Sequence, residues 1–345
     1  MSSIVYPKDA WQPLEASDAG IDPEGLAVAR RWYDDAMGDK PYRVVMIRGG
    51  HMVAEWNRGI DRETRFGIAS AAKSVYSNVL GILVDEGDVI PSADCEVFDY
   101  YPEFMDVPDG TGPKENRYAF PKDRAITFRQ LISNTSGYMK PGEEPGTVFN
   151  YQTYGMNVLT HAMAKAHGMY DIADPEGSPG FKELIEQKIA HWLGVDWTYS
   201  LRNFDLHAEA RLPIYGYYCS IETNAHDFAR LGWMWRQGGR WGDVQVVPEA
   251  WLAESTRTNP DILAHCPESE WCYGYGFWSN DHGVLWPDLP RDAYSACGAG
   301  GHFCSVFPSQ DLVIVQNPGR YARMANGEND RASRSFLELV LNAIR

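Results

Sequence analysis

The sequence predicts a mixed α/β (α+β) fold: an antiparallel sheet contributed by both chain ends, flanked by helices, with a mostly helical region inserted into it. Two observations carry this. Short apolar runs bounded by glycines and polar turns stand at residues 42–56 and return only at 273–316. Between them the apolar residues recur at helical spacing, interrupted by loops. The implied division is 1–68 with 270–345 as the sheet domain and 69–269 as the inserted helical domain. A cleft between the two is the natural place for a site.

Taken in order, residues 23–37 read as an amphipathic helix with a proline in its first turn. Tyr42–Ile47 and His51–Trp56 follow as strands, joined by a hairpin turn at Arg48-Gly49-Gly50. A short extended segment ends at Gly67-Ile68, and a helix runs from Ser70 to near Gly87. Asp109–Asn116, with Gly110, Gly112 and Pro113, reads as an exposed loop. Thr127–Ile132 is a short helix, Pro141–Gly146 a turn cluster, and further helices are expected near 154–167, 181–193, 224–237 and 248–256. Strands return at Tyr273–Ser279, Ala293–Gly298, His302–Phe307 and Leu312–Gln316, before a last helix at Arg331–Ile344.

Composition bounds the function. A hydrophobic fraction of 44% with 12 Trp, 19 Tyr and 13 Phe belongs to a folded chain with a sizeable core. The formal net charge of −16 argues against nucleic acid and anionic membranes as partners. The first residues show no basic segment followed by an apolar run, and no stretch is apolar enough to span a bilayer. Cys95, Cys219, Cys266, Cys272, Cys297 and Cys304 lack Cys-x-x-Cys spacing, as reduced thiols do. The expectation is a cytoplasmic protein.

Chemistry concentrates in three stretches. Ser70-Ala71-Ala72-Lys73 puts a hydroxyl and an amine one helical turn apart, at a helix start whose N–H groups favour negative charge. Such a serine has a neighbour able to take its proton. About one Ser-x-x-Lys arises by chance in a chain this long, so the partners matter. Tyr151 follows the Pro-Gly turn at a helix opening, and a phenol beside an ammonium can have a lowered pKa and shuttle a proton. Ala296-Cys297-Gly298-Ala299-Gly300-Gly301 lets backbone approach a ligand closely, so that a strand edge presents an N–H to an oxyanion.

In this order the signals resemble the serine β-lactamase and penicillin-binding-protein superfamily, on its class C β-lactamase, D,D-carboxypeptidase and carboxylesterase branch. Leu131-Ile132-Ser133-Asn134-Thr135-Ser136-Gly137 is similar to that branch's Leu-Leu-x-His-Thr-Ser-Gly segment. Pro145-Gly146-Thr147-x-Phe149-x-Tyr151 is similar to its Pro-Gly-x-x-Phe-x-Tyr-Ser-Asn segment, and Cys219–Arg230, with the following Gly238-Gly239, to its Ser-Thr-Ala-x-Asp-Leu-Ala-Arg helix start. The resemblance spans roughly residues 40–320 and implies a β-lactamase/transpeptidase-like fold. It implies Ser70 as nucleophile, Lys73 as base, Tyr151 as proton shuttle, and the N–H groups of Ser70 and Ala299 as the oxyanion hole, with no metal or cofactor.

Two departures redirect the substrate. Tyr151-Gln152-Thr153 lacks the asparagine of Tyr-x-Asn, and Ala296-Cys297-Gly298 stands where Lys-Thr-Gly would bring a cation. Losing a charge-assisted partner for a substrate carboxylate costs on the order of 1.5–3 kcal/mol. The nearest pattern is that of family VIII carboxylesterases and aminohexanoate-dimer hydrolases, and the expected partner is a small-molecule ester or amide without that carboxylate. Tyr138, Thr153, Tyr218 (with Tyr217), Trp278, Trp286, Gly298, Gly300 and His302 are the expected substrate contacts, His302 as a replacement for the missing cation. A β-lactamase or D-amino-acid-type peptidase, and a non-catalytic ligand-binding relative, stand as alternatives. Self-association into a homo-oligomer is left open.

Overall fold

A computed structural model describes residues 4–204, 211–319 and 333–345 of the chain. The strands are β1 (Tyr42–Arg48), β2 (His51–Arg58), β3 (Phe66–Gly67), β4 (Thr198–Asn203), β5 (Tyr217–Thr223), β6 (Arg240–Trp241), β7 (Val244–Gln245), β8 (Trp278–Ser279), β9 (Tyr294–Gly298), β10 (His302–Phe307) and β11 (Leu312–Gln316). Six of them form one antiparallel sheet in the order β2-β1-β11-β10-β9-β8. The ends of the chain thus meet in the middle of the sheet, where β1 pairs β11 from Val44↔Gln316 to Arg48↔Leu312.

Alternation along these strands builds two cores. Val44 and Met46 of β1 and Leu312 and Ile314 of β11 pack with Leu26, Tyr33 and Met37 of α1 (Pro23–Met37) and Phe336 and Val340 of the last helix, Arg334–Asn342. Asp22 caps α1 by accepting from Gly25 N, 3.1 Å away. Val45, Ile47, Val313 and Val315 face the other way, into the larger core. That core holds α2 (Ala72–Glu86), buried on every side from Ala72 to Leu83 and stopped by Gly87 in the left-handed region.

Around α2 lie Phe128–Ile132, Tyr154–Ala166, Phe181–Leu193 (with a π-helical turn at Glu186–Ala190), Ala225–Arg236 and Glu249–Ser255. Three parts differ from the sequence expectation. Thr198–Asn203 and Tyr217–Thr223 form, with Phe66–Gly67, a three-stranded sheet inside the stretch expected to be mostly helical. The expected strand 273–279 survives only as Trp278–Ser279 with a bridge at Tyr273, because 274–277 bends against α2: a Cβ on Gly276 would stand 2.5 Å from the Lys73 carbonyl. Pro260–His265 adds a short helix. Of the expected last helix, Arg334–Asn342 is observed, while its first positions, 331 and 332, lie outside the described residues.

Arg43 fastens the approach to the site. It is buried, and it donates through Nε and Nη2 to the Asn317 carbonyl and Oδ1 and through Nη1 to the carbonyls of Asp61 and Arg62, at 2.7–2.9 Å. Its guanidinium also lies 5.3 Å from the Phe66 ring centre. The segment feeding β3 is thereby tied to the sheet's central strands. No helix among the described residues is long and apolar enough to cross a membrane.

Candidate active site

Ser70 sits in a tight turn between β3 and α2. Ile68 donates to the Ile221 carbonyl (3.0 Å), Ala69 takes φ = 49°, and a 3₁₀ turn over Ala69–Ala71 leads into the α-helix at Ala72. A non-glycine residue in the left-handed region is strained, and here it directly precedes the serine. One turn on, the Lys73 ammonium donates to Ser70 Oγ at 2.8 Å. Lys73 is only 2% exposed, and burial alone pulls its pKa from 10.5 down to about 7. The neutral amine is therefore readily available near neutrality.

Tyr151 presents its ring face to this amine, with Lys73 Nζ 4.8 Å from the ring centre. The residue is 37% exposed, yet burial of its hydroxyl end pushes the phenol up to about 12; a hydrogen bond from the Ser70 hydroxyl offsets only part of this. The expected lowering of this pKa is therefore corrected. The amine lies over the ring, 4.8 Å from its centre, and burial of the hydroxyl outweighs the Ser70 hydrogen bond, so the phenol is raised while the amine is lowered.

The third wall is the end of β9. A Cβ on Gly298 would fall 1.9 Å from the Ile68 carbonyl and 3.2 Å from Ala71 N, so strand and serine turn are in backbone contact. Ala299, Gly300 and Gly301 form the turn into β10 directly after it. His302 packs against this turn, 93% buried, and burial together with Arg43 pushes its pKa down to about 4. It is neutral at ordinary pH and cannot supply the missing positive charge.

The expected substrate contacts divide. Trp278 stands 5.5 Å from Tyr151, ring centre to ring centre, so the structure brings it to the site. Tyr138 does not belong there: it is fully buried and donates to the Phe104 carbonyl at 2.6 Å. Trp286 is likewise core, stacked on Phe307 at 5.9 Å. Tyr218 stacks on Phe204 (5.3 Å) and Tyr217 pairs with Asn203 on β4. Thr153 is half-buried at the start of the Tyr154–Ala166 helix, without a capping hydrogen bond.

Sequence reasoning passed over Tyr273, which lies edge-on to Tyr151 at 5.6 Å and faces Phe149 at 5.3 Å. It also passed over Asn134 as a support: its Oδ1 accepts from Gln152 N at 3.0 Å and so fixes the backbone beside Tyr151. The HTSG-like segment held that signal. A separate hollow of about 150 Å³, lined by His161, Tyr170, Phe181, Tyr199 and Cys219, contains none of the site residues. At the serine turn the structure gathers a hydroxyl, an amine of lowered pKa in contact with it and a phenol of raised pKa beside them, an arrangement able to support nucleophilic acyl chemistry.

Comparison with solved structures agrees on the fold. A putative β-lactamase from Bacteroides dorei superposes with a TM-score of 0.67 at 18% identity, covering 93% of this chain and 98% of that one. For a putative 6-aminohexanoate-dimer hydrolase from Bacillus anthracis the values are 0.62, 16%, 98% and 87%. A family VIII carboxylesterase gives 0.63, 16%, 94% and 99%. The beta-lactamase family model matches residues 40–317, from β1 to the end of β11, and by that match the chain belongs to the beta-lactamase family.

Proposed function

We propose that the protein is a serine hydrolase that cleaves a small uncharged ester or amide through an acyl-enzyme on Ser70. The observation that carries the reading is the 2.8 Å contact between Ser70 Oγ and an amine whose pKa lies near 7. Oγ attacks the carbonyl carbon while neutral Lys73 takes its proton, forming the Oγ–C bond and an oxyanion. The N–H groups of Ser70 and Ala299 receive that oxyanion. Tyr151 passes its proton to the leaving oxygen or nitrogen as the carbonyl–heteroatom bond breaks, and is reprotonated from Lys73. Water then attacks the acyl carbon, giving up a proton to the same pair, and the acid leaves as Ser70 regains its hydrogen.

Substrates without a carboxylate fit this site. Ala296 occupies the place of the Lys-Thr-Gly lysine, and neutral His302 does not replace it. The proteins sharing the fold include a family VIII carboxylesterase and a putative 6-aminohexanoate-dimer hydrolase, which supports both ester and amide as candidates. The test is turnover of p-nitrophenyl butyrate together with fluorophosphonate labelling. Ser70→Ala should abolish both while the far-UV CD spectrum is retained. Persistent labelling of that variant means another nucleophile, and nitrocefin hydrolysis outpacing simple esters returns the protein to the β-lactamases proper.

A further inference from the structure

Tyr151 belongs to a continuous patch of four rings. Tyr273 meets it edge-on (5.6 Å, 90°) and Trp278 lies tilted beside it (5.5 Å, 32°). Tyr273 and Trp278 meet at 5.2 Å and 82°, and Phe149 leans on Tyr273 at 5.3 Å and 35°. Tyr273 is buried and forms the base of the patch. Phe149 and Trp278 are half-buried above it, and Tyr151 is one of the few large apolar side chains left exposed among the described residues. Exposed rings clustered in this way usually mark a surface that something covers.

Beside the Tyr151 and Tyr273 hydroxyls stands the Cys297 thiol, which burial pushes up to about 12 and so keeps neutral; the acidic Asp261 and Glu270 lie near Cys266, on the Phe149 side. The amine of Lys73 faces Tyr151 from within the site. An anionic group placed against the negative faces of these rings would lose water without gaining a partner from them, whereas a flat ring gains edge-to-face and offset contacts.

We infer that this patch is a specificity wall selecting leaving groups that carry an aromatic ring, with Trp278 as the residue that reads the ring. The assignment to the leaving-group side rests on the proposed role of Tyr151: the residue that hands a proton to the departing atom lies next to it. Benzyl esters and benzylamides are the corresponding substrate class. Trp278 acts here by contact with the substrate ring, and Tyr273 acts through it, as a positioning residue.

The experiment compares kcat/KM for benzyl acetate and cyclohexylmethyl acetate, which are close in size; benzyl alcohol is slightly the more acidic leaving group, and the Trp278→Leu variant, which shares that difference, serves as the reference. Wild type should prefer the benzyl ester about tenfold. Trp278→Leu should bring the ratio near one, and Trp278→Phe should keep most of the preference. A ratio near one in the wild type overturns the wall, and so does a Trp278→Leu variant that loses both substrates in equal proportion. Fluorophosphonate labelling of Ser70 separates the layers. Label without benzyl preference defeats the wall alone, whereas absence of label and of turnover defeats the hydrolase reading and the wall with it.

Discussion

Replacing Lys73 by methionine removes an amine that is 2% exposed and that burial drags from 10.5 to about 7. In the unfolded chain the amine keeps its ordinary value. Between about pH 7 and 10.5 the unfolded state therefore holds a proton that the folded state has released, and wild-type stability rises with pH across that window. The shift is equivalent to roughly 5 kcal/mol at most, and below about pH 7 the whole cost is present. Lys73→Met carries no such group. Its unfolding free energy in urea should exceed that of wild type by a few kcal/mol near pH 6.5, and the gap should close towards pH 10. The packing difference between the lysine stem and methionine offsets the curves equally at all pH values, so the slope is the informative quantity. Parallel curves over this range would refute the claim that folding displaces the proton from Lys73.

Three further outcomes are expected. The kcat/KM for p-nitrophenyl butyrate should rise with pH through an apparent pKa of about 7 as Lys73 becomes neutral, with no fall from Tyr151 below about pH 10; a profile flat from about pH 5.5 to 9 would remove Lys73 as the base. Gly298→Ala must widen a 1.9 Å approach to the Ile68 carbonyl to an ordinary 3.4 Å, a displacement that should cost about a hundredfold in kcat/KM with a stability loss of about 1–3 kcal/mol. A stable, fully active Gly298→Ala protein would mean that the β9 end does not brace the serine turn. Arg43→Met strands four carbonyl contacts and should lower the unfolding free energy by about 3 kcal/mol in urea titration; an unchanged midpoint would contradict the anchoring role.

Local relations were legible in the sequence and surface-dependent ones were not. Ser70 and Lys73 meet because three residues make nearly one helical turn, a relation independent of the rest of the chain. The Arg48-Gly49-Gly50 hairpin and the terminal origin of the main sheet followed from turn chemistry and apolar runs in the same way. The pair Thr198–Asn203 and Tyr217–Thr223 escaped because an edge strand reading Thr-Tyr-Ser-Leu-Arg-Asn, mostly exposed, carries only two apolar residues, Tyr199 and Leu201, too short an alternation to mark a strand. Tyr138, Trp278 and Trp286 look alike in sequence, and only long-range packing sends two of them into the core and one to the site. The ionisation of Tyr151 depends on how deeply its hydroxyl is buried, and spacing does not encode that.

The meeting of β1 and β11 sets the order in which this molecule can assemble. Val44 waits for Gln316, made about 270 residues later, and until then the β1–β2 hairpin has an open edge on its inner side. Pairings of such long range are slow to form, because the intervening chain must first be closed into a loop. Gly298, which stands in backbone contact with the serine turn, leaves the ribosome about 230 residues after Ser70. A nascent chain that already carries Ser70 and Lys73 therefore lacks one wall of the cleft proposed around them until β9, β10 and β11 have joined the sheet.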